Sequence, residues 1–350
     1  MTQSDPSAMS RPAALHLGGY TTDQPSGSSG LARATLDGDG FGTPERLGDV
    51  PDPSWVVPAD GAGRADRLYA ISEDDDRVVL LDGSGRVLSE TGSGGMGPAH
   101  LSLSPDGSWL AASNYVSGSV GLVRVDGDEL ELVDELSFEG EGPHERQDSS
   151  HAHQAVWLDE TRLLVCDLGA DRVHEVSLER GSDGTGELRH TGSVELPAGS
   201  GPRHLALHPA RDDLAWVVGE LDLAVHVLRR GEGGWSPGDP VTTAPSGPAD
   251  GETTAAGIVV SPDGGHVYVS TRGTDTVAVY ATDDEGGLEL VQLATVEHWP
   301  RFIGWAPGQE GEVLLVAAER GGSVQAYRIE GGLLGEVVGR LEWDGPTWVG

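Results

Sequence analysis

Residues 98–125 read PAHLSLSPDGSWLAASNYVSGSVGLVRV, and this phrase returns along the chain. Residues 202–228, PRHLALHPARDDLAWVVGELDLAVHVL, keep its frame, as do residues 255–280, AAGIVVSPDGGHVYVSTRGTDTVAVY, and residues 300–327, PRFIGWAPGQEGEVLLVAAERGGSVQAY. Residues 151–176, HAHQAVWLDETRLLVCDLGADRVHEV, fit the same frame, with short echoes at Pro53-Ser54-Trp55 and Pro346-Thr347-Trp348. The opening triplets thus begin at 53, 98, 151, 202, 255, 300 and 346, so seven units of near 50 residues fill the 350-residue chain. A fixed period of this length is the signature of a repeat architecture.

Within each unit the pattern is that of strands. LSLS and LALH alternate or run apolar over a few residues, and VAVY is rich in β-branched side chains. SPDG and HPAR are tight turns between the first two strands, and ELVDELSFE or LELVQLATVE supplies a fourth. The pattern predicts an all-β fold: a seven-bladed β-propeller of four-stranded antiparallel blades. The N-terminal unit lacks a first strand, and the C-terminal one has nothing else. The last blade is therefore expected to close by pairing Pro346–Val349 with Leu15–Tyr20, leaving no free sheet edge. Residues 1–12 are expected to be a disordered tail and residues 13–350 a single propeller domain.

Composition supports this and narrows the partners. Gly (53) and Pro (21) make up about a fifth of the chain, which leaves little room for long helices. All 22 basic residues are Arg, against 57 acidic ones, for a net charge of −35. Such a chain repels phosphate backbones and anionic lipid, so neither nucleic acid nor membrane is an expected partner. One cysteine, Cys166, excludes an intrachain disulfide. The start, MTQSDPSAMSRP, lacks a charged segment followed by an apolar one, so no secretory signal is expected and the cytoplasm is the default. A monomer or weak homo-oligomer is expected.

The start of the first strand and the end of the second share one edge of an antiparallel blade. The second strands end at Tyr20, Glu73, Tyr115, Leu168, Glu220, Arg272 and Glu319, each preceded by a residue such as Asn114 or Gly219. With the triplets, these positions gather His100, His151, His153, Arg203, His204, Glu220, Arg272, Arg301 and Glu319 at one mouth of the channel. That concentration suits a small anionic substrate. The loop GEGPHERQDSSHAH, residues 140–153, crosses the same mouth and offers Arg146 and Gln147. His151 and His153 alone are a weak metal signal; no third ligand stands at an obvious spacing, so neither metal nor cofactor is expected.

RQDSSHAH, DLGADRV, GPRHLALHP, GELDLAV, SPDGGHVYVSTRG and the N-terminal GGYT together resemble the seven-bladed propeller lactonase family. That family includes the bacterial propeller-type 6-phosphogluconolactonase and the fungal carboxy-muconate lactonizing enzyme. The resemblance covers roughly residues 13 to 350. It implies hydrolysis of a sugar lactone, 6-phosphogluconolactone above all, with a lactonizing cycloisomerase and a non-catalytic binding platform as alternatives. It matches the family's HxH to His151 and His153, its PRH arginine to Arg203, its N-E-L glutamate to Glu220 and its S-N-R-G arginine to Arg272. Gly219 and Thr271 stand where the family has asparagine.

Lactone hydrolysis needs a base for water, donors for the oxyanion and a proton for the leaving alkoxide. The expected catalytic residues are Glu220, His151 and His153. Arg203, Arg272, Arg146, Gln147, Tyr20 and Asn114 are the expected substrate-binding residues.

Overall fold

The computed structural model describes residues 12–21, 30–38, 40–59, 66–181 and 184–350. The expected tail, residues 1–12, lies outside them except for its last residue.

Seven antiparallel sheets follow one another. Blade 1 begins at Val56–Pro58, blade 2 at Pro98–Leu103, blade 3 at Ala152–Trp157 and blade 4 at Pro202–Leu207. Blade 5 begins at Thr254–Val260 and blade 6 at Pro300–Trp305. Each runs outward through its second, third and fourth strands in chain order. Blade 7 is built from both ends of the chain: Pro346–Val349 pairs with Ala13–Gly19, which pairs with Ala32–Asp37. The closure is the one the split repeat demands. Gly18 is required at this seam, since a Cβ there would lie 2.4 Å from the Pro53 carbonyl oxygen.

Hydrophobic burial follows the blade junctions. Seven buried clusters form, each spanning two neighbouring blades; Trp109, Leu122, Trp157 and Val165, for example, join blades 2 and 3. Each blade thus buries its two faces against its neighbours, and the ring leaves the polar first-strand ends free to line the channel.

A recurring bulge sets the site. The ladder between first and second strands skips a residue between Ala152 and Gln154, between Pro202 and His204, and between Pro300 and Phe302. The skipped residues are His153, Arg203 and Arg301. A bulge re-aims a side chain out of the sheet, and here the three residues turn into the channel mouth, where they line one cavity.

The same register corrects the repeat frame in blade 3. Ala152, opposite Asp167, occupies the place of Pro202, opposite Gly219. The triplet is therefore Ala152-His153-Gln154, one residue later than the expected start at His151. His151 precedes the strand, so it does not share a face with His153.

Candidate active site at the channel mouth

The cavity at this mouth, about 170 Å³, is lined by Glu73, Tyr115, Arg146, His153, Arg203, Glu220, Arg272 and Arg301 together with Gly97, Ala99 and Val116. Beneath it the third triplet positions fill the channel. Trp55 packs 4.3 Å from His100 and 5.5 Å from His204, and reaches Phe302 and Trp348. This layer is apolar or neutral. Burial, with Arg203 nearby, lowers His100 to about 3 and holds His204 well below the usual imidazole range.

Glu220 is the hub. Arg203 Nε lies 2.8 Å from Oε2 and Arg272 Nη2 3.0 Å from Oε1, while Arg146 donates to Oε1 from the loop above. Burial alone would push this carboxyl up. Arg272, Arg203 and Arg146 outweigh it and hold Glu220 well below the carboxylate range. A carboxylate saturated by three guanidiniums is a poor proton acceptor, which weakens the expectation that Glu220 is the base. Its evident work is to gather three cations at one point, two of them buried. Arg272 also lies 5.7 Å from the Trp299 ring, whose other neighbour, Arg320, is 3.3 Å from the same centroid.

His153 faces this hub. It is buried, lines the cavity, and its Nδ1 has no hydrogen-bond partner among the described residues. Burial and the Arg203 charge hold it well below the ordinary imidazole range, so it is neutral at pH 7 with a free ring nitrogen. His151 is different. Its Nδ1 lies 2.8 Å from the Tyr115 carbonyl oxygen, its Nε2 3.3 Å from Asp148, and its ring stacks on Tyr115 at 4.5 Å. Both nitrogens serve the wall. His153→Ala is therefore expected to lower turnover about a hundredfold, and His151→Ala less than about threefold. Steady-state kinetics of the two variants, side by side, check this.

The loop before blade 3 delivers Arg146 but not Gln147. Gln147 Nε2 donates to the Leu168 carbonyl (2.8 Å) and to Asp171 (2.7 Å), and its Oε1 accepts from the His144 amide. Gln147 is the pin of the loop; a Cβ on Gly142 would lie 2.5 Å from its amide. The loop so pinned lets Arg146 reach both Glu220 and the Tyr115 hydroxyl, 3.1 Å away. Asn114 also leaves the substrate-binding set. It is fully buried and donates to the Ser93 carbonyl at 3.1 Å and to Ser119 at 3.3 Å. Its equivalents explain the two departures from the family pattern: the Asp222 carboxylate fills the space at Gly219, and Thr271 donates to Thr243. Both positions belong to the scaffold.

Tyr20 stands beside the cavity. Arg301 Nη2 donates to its hydroxyl at 2.7 Å, and that hydroxyl donates to Glu73 at 3.3 Å. Arg301 also pairs with Glu319 at 3.3 Å. Sequence reasoning placed Glu73, Tyr115 and Arg301 on the rim but gave them no role. The signal was present: each occupies a position that Glu220, Arg272 or Arg203 holds in another blade.

Among the described residues no group of three His, Cys, Asp or Glu is placed to hold a metal ion.

A propeller whose mouth carries a buried arginine–glutamate hub beside a free imidazole belongs to a recognisable class, and comparison defines it. Residues 14–350 match the family described as "Lactonase, 7-bladed beta-propeller", and the chain is a member of that family. It is 30% identical over 330 residues to the 6-phosphogluconolactonase of Bacillus subtilis (strain 168), covering 88% of this chain and 89% of the relative. A putative 6-phosphogluconolactonase from Bacteroides fragilis superposes with a TM-score of 0.83 at 26% identity, over 99% of each chain. A periplasmic gluconolactonase from Pseudomonas aeruginosa gives 0.84 at 27% identity, over 97% of this chain and 98% of that one.

Proposed function

We propose that this protein hydrolyses a sugar lactone bearing an anionic group, 6-phosphogluconolactone being the leading candidate, and releases the corresponding acid. The observation that carries the reading is the hub itself. Arg146, Arg203 and Arg272 converge on Glu220 in one small cavity, with the neutral His153 opposite. Three guanidiniums around one carboxylate, with Arg301 adjacent, leave donors for an oxyanion and for a substrate phosphate or carboxylate. The His153 imidazole takes a proton from water as the water oxygen bonds to the lactone carbonyl carbon. The carbonyl oxygen gains the electron pair, and the arginines stabilise it. The relatives named as lactonases share the family and nearly the whole chain length.

A binding platform would need an exposed apolar patch of a few hundred Å². At this mouth only Met96 and Val116 stand exposed among large hydrophobics of the described residues. The reading includes a cytoplasmic location and action as a monomer or weak oligomer.

The test is acid release from a panel of phosphorylated and plain sugar δ-lactones, measured against spontaneous hydrolysis. A rate no faster than the spontaneous one on every member would sink the reading. A preference for the phosphorylated member supports the anionic class. Arg272→Ala is expected to lower kcat/KM at least tenfold while circular dichroism and Tm stay close to those of the parent, since Arg203 and Arg146 still neutralise Glu220. Unchanged kinetics would make Arg272 a staple between blades.

A further inference from the structure

The cavity wall carries a second carboxylate that the hub does not use. Glu73 directly follows the second strand of blade 1, at the position Glu220 holds in blade 4. The two line the same cavity in opposite surroundings. Glu220 meets three guanidiniums directly. Among the described residues no Arg nitrogen forms an ion pair with Glu73. Its partners are hydroxyls: Ser54 Oγ donates to Oε2, and Tyr20 OH lies 3.3 Å from Oε1. The nearest cation, Arg301, spends its donors on Tyr20 and Glu319. Two carboxyls in one site whose environments drive them apart are the usual mark of divided acid and base work.

We propose that Glu73 is the proton donor to the leaving ring oxygen in the lactone opening, a role that rests on the hydrolytic reading above. In the first half of the reaction His153 receives the proton of the attacking water. In the second, the bond between carbonyl carbon and ring oxygen breaks, its electron pair goes to the ring oxygen, and that oxygen takes the proton from Glu73. The hydroxy acid leaves, His153 returns its proton to solvent and Glu73 regains one, so no other reactant is needed. Glu73 is suited to the task because burial pushes its carboxyl up, against the lowering by Arg301, Ser54 and Tyr20 and with help from Asp74. The groups facing it are thus Ser54 and Asp74 from its own blade, Tyr20 from blade 7 and Arg301 from blade 6. Across the cavity stand Arg203, Arg272 and Glu220. The Tyr20 phenol is itself raised by burial, so it stays protonated and bridges Arg301 to Glu73 without competing as the acid.

Leaving-group chemistry tests this. A sugar δ-lactone expels an alkoxide, which needs a proton as it departs. Dihydrocoumarin expels a phenoxide, whose conjugate acid has a pKa of about 10 and which departs without one. Glu73→Gln keeps size and hydrogen bonding but has no proton to give. It is expected to lower kcat on the sugar lactone about a hundredfold, to leave KM within about threefold, and to leave dihydrocoumarin turnover nearly unchanged. The alkaline fall of kcat on the sugar lactone should disappear as well. Glu73→Asp retains an acid and should recover part of the lost rate. A structural role would slow both substrates together. If Glu73→Gln leaves kcat on the sugar lactone unchanged, keeps its alkaline fall, or slows dihydrocoumarin equally, the proposal alone is wrong. If the parent opens neither, the hydrolytic reading fails and takes the proposal with it.

Discussion

A chain ending at Asp344 or Gly345 is expected not to fold cooperatively. The segment removed is five or six residues long, yet it is the first strand of blade 7. Trp348 packs with Leu31, Leu47, Val56 and Leu68 at the junction with blade 1, and Val349 with Leu15, Leu17 and Leu315 at the junction with blade 6. Burying these two side chains is worth about 1.5 to 3 kcal/mol each. The ladder to Ala13–Gly19 is lost with them, as are the bond from Thr347 Oγ to the Ser54 carbonyl and the reciprocal pair between His16 and Gly350. Each hydrogen bond adds about 1 kcal/mol. The total approaches the roughly 5 to 15 kcal/mol that holds a typical domain together. It also opens an edge along Ala13–Gly19 that invites association. The expected result is an aggregating or dye-binding product with no sharp thermal transition. A truncated chain with the parent Tm would mean that the ring does not depend on its seam.

The ring was legible because its grammar is local. A proline or small residue opens each first strand, a Pro-Asp-Gly type of turn follows, and the count of such openings is the blade count. The one error of frame came in blade 3. Proline opens the triplet in blades 1, 2, 4, 6 and 7, but Ala152 opens it in blade 3. With two histidines astride that alanine, composition favoured His151 as the start, and only the ladder to Asp167 sets the frame. The bulge follows the same logic. It is a property of pairing, so the sequence shows which residues lie at the rim but not which of them turns inward.

Side-chain roles were harder to read for a further reason. Gln147 and Asn114 are amides, which serve a backbone as well as a ligand, and the choice depends on carbonyls contributed from far along the chain, such as that of Leu168. Glu73 presents the converse case. Its partners Ser54 and Tyr20 come from the triplet of its own blade and from blade 7, 53 residues earlier in the chain. Nothing in the residue types alone separates it from Glu220; the difference lies in which neighbours the closed ring brings to each.

Glu220→Gln is expected to abolish most activity and to destabilise the protein together, and the pairing of these effects identifies the role. Arg203 and Arg272 are 3% and 6% exposed, so their charges have little access to water once the carboxylate is gone. Leaving such a charge unpaired costs about 3 to 5 kcal/mol. The guanidiniums then repel one another and splay, so kcat/KM should fall a hundredfold or more, with KM rising as well. A pH series sharpens the test. The depressed Glu220 carboxyl contributes stability that is fully present above the unfolded glutamate pKa of about 4.3 and is lost as pH falls through the lower folded value. The stability gap between parent and Glu220→Gln should therefore be constant near neutrality and narrow as the solution is acidified below about pH 4. A general base would behave otherwise: kcat would fall, KM and Tm would hold, and the acid limb of the rate profile would vanish. That outcome would return proton acceptance to Glu220 and leave His153 as its neighbour. A variant that is both less stable and weaker in binding establishes the glutamate as the anchor that holds three arginines ready for an anion.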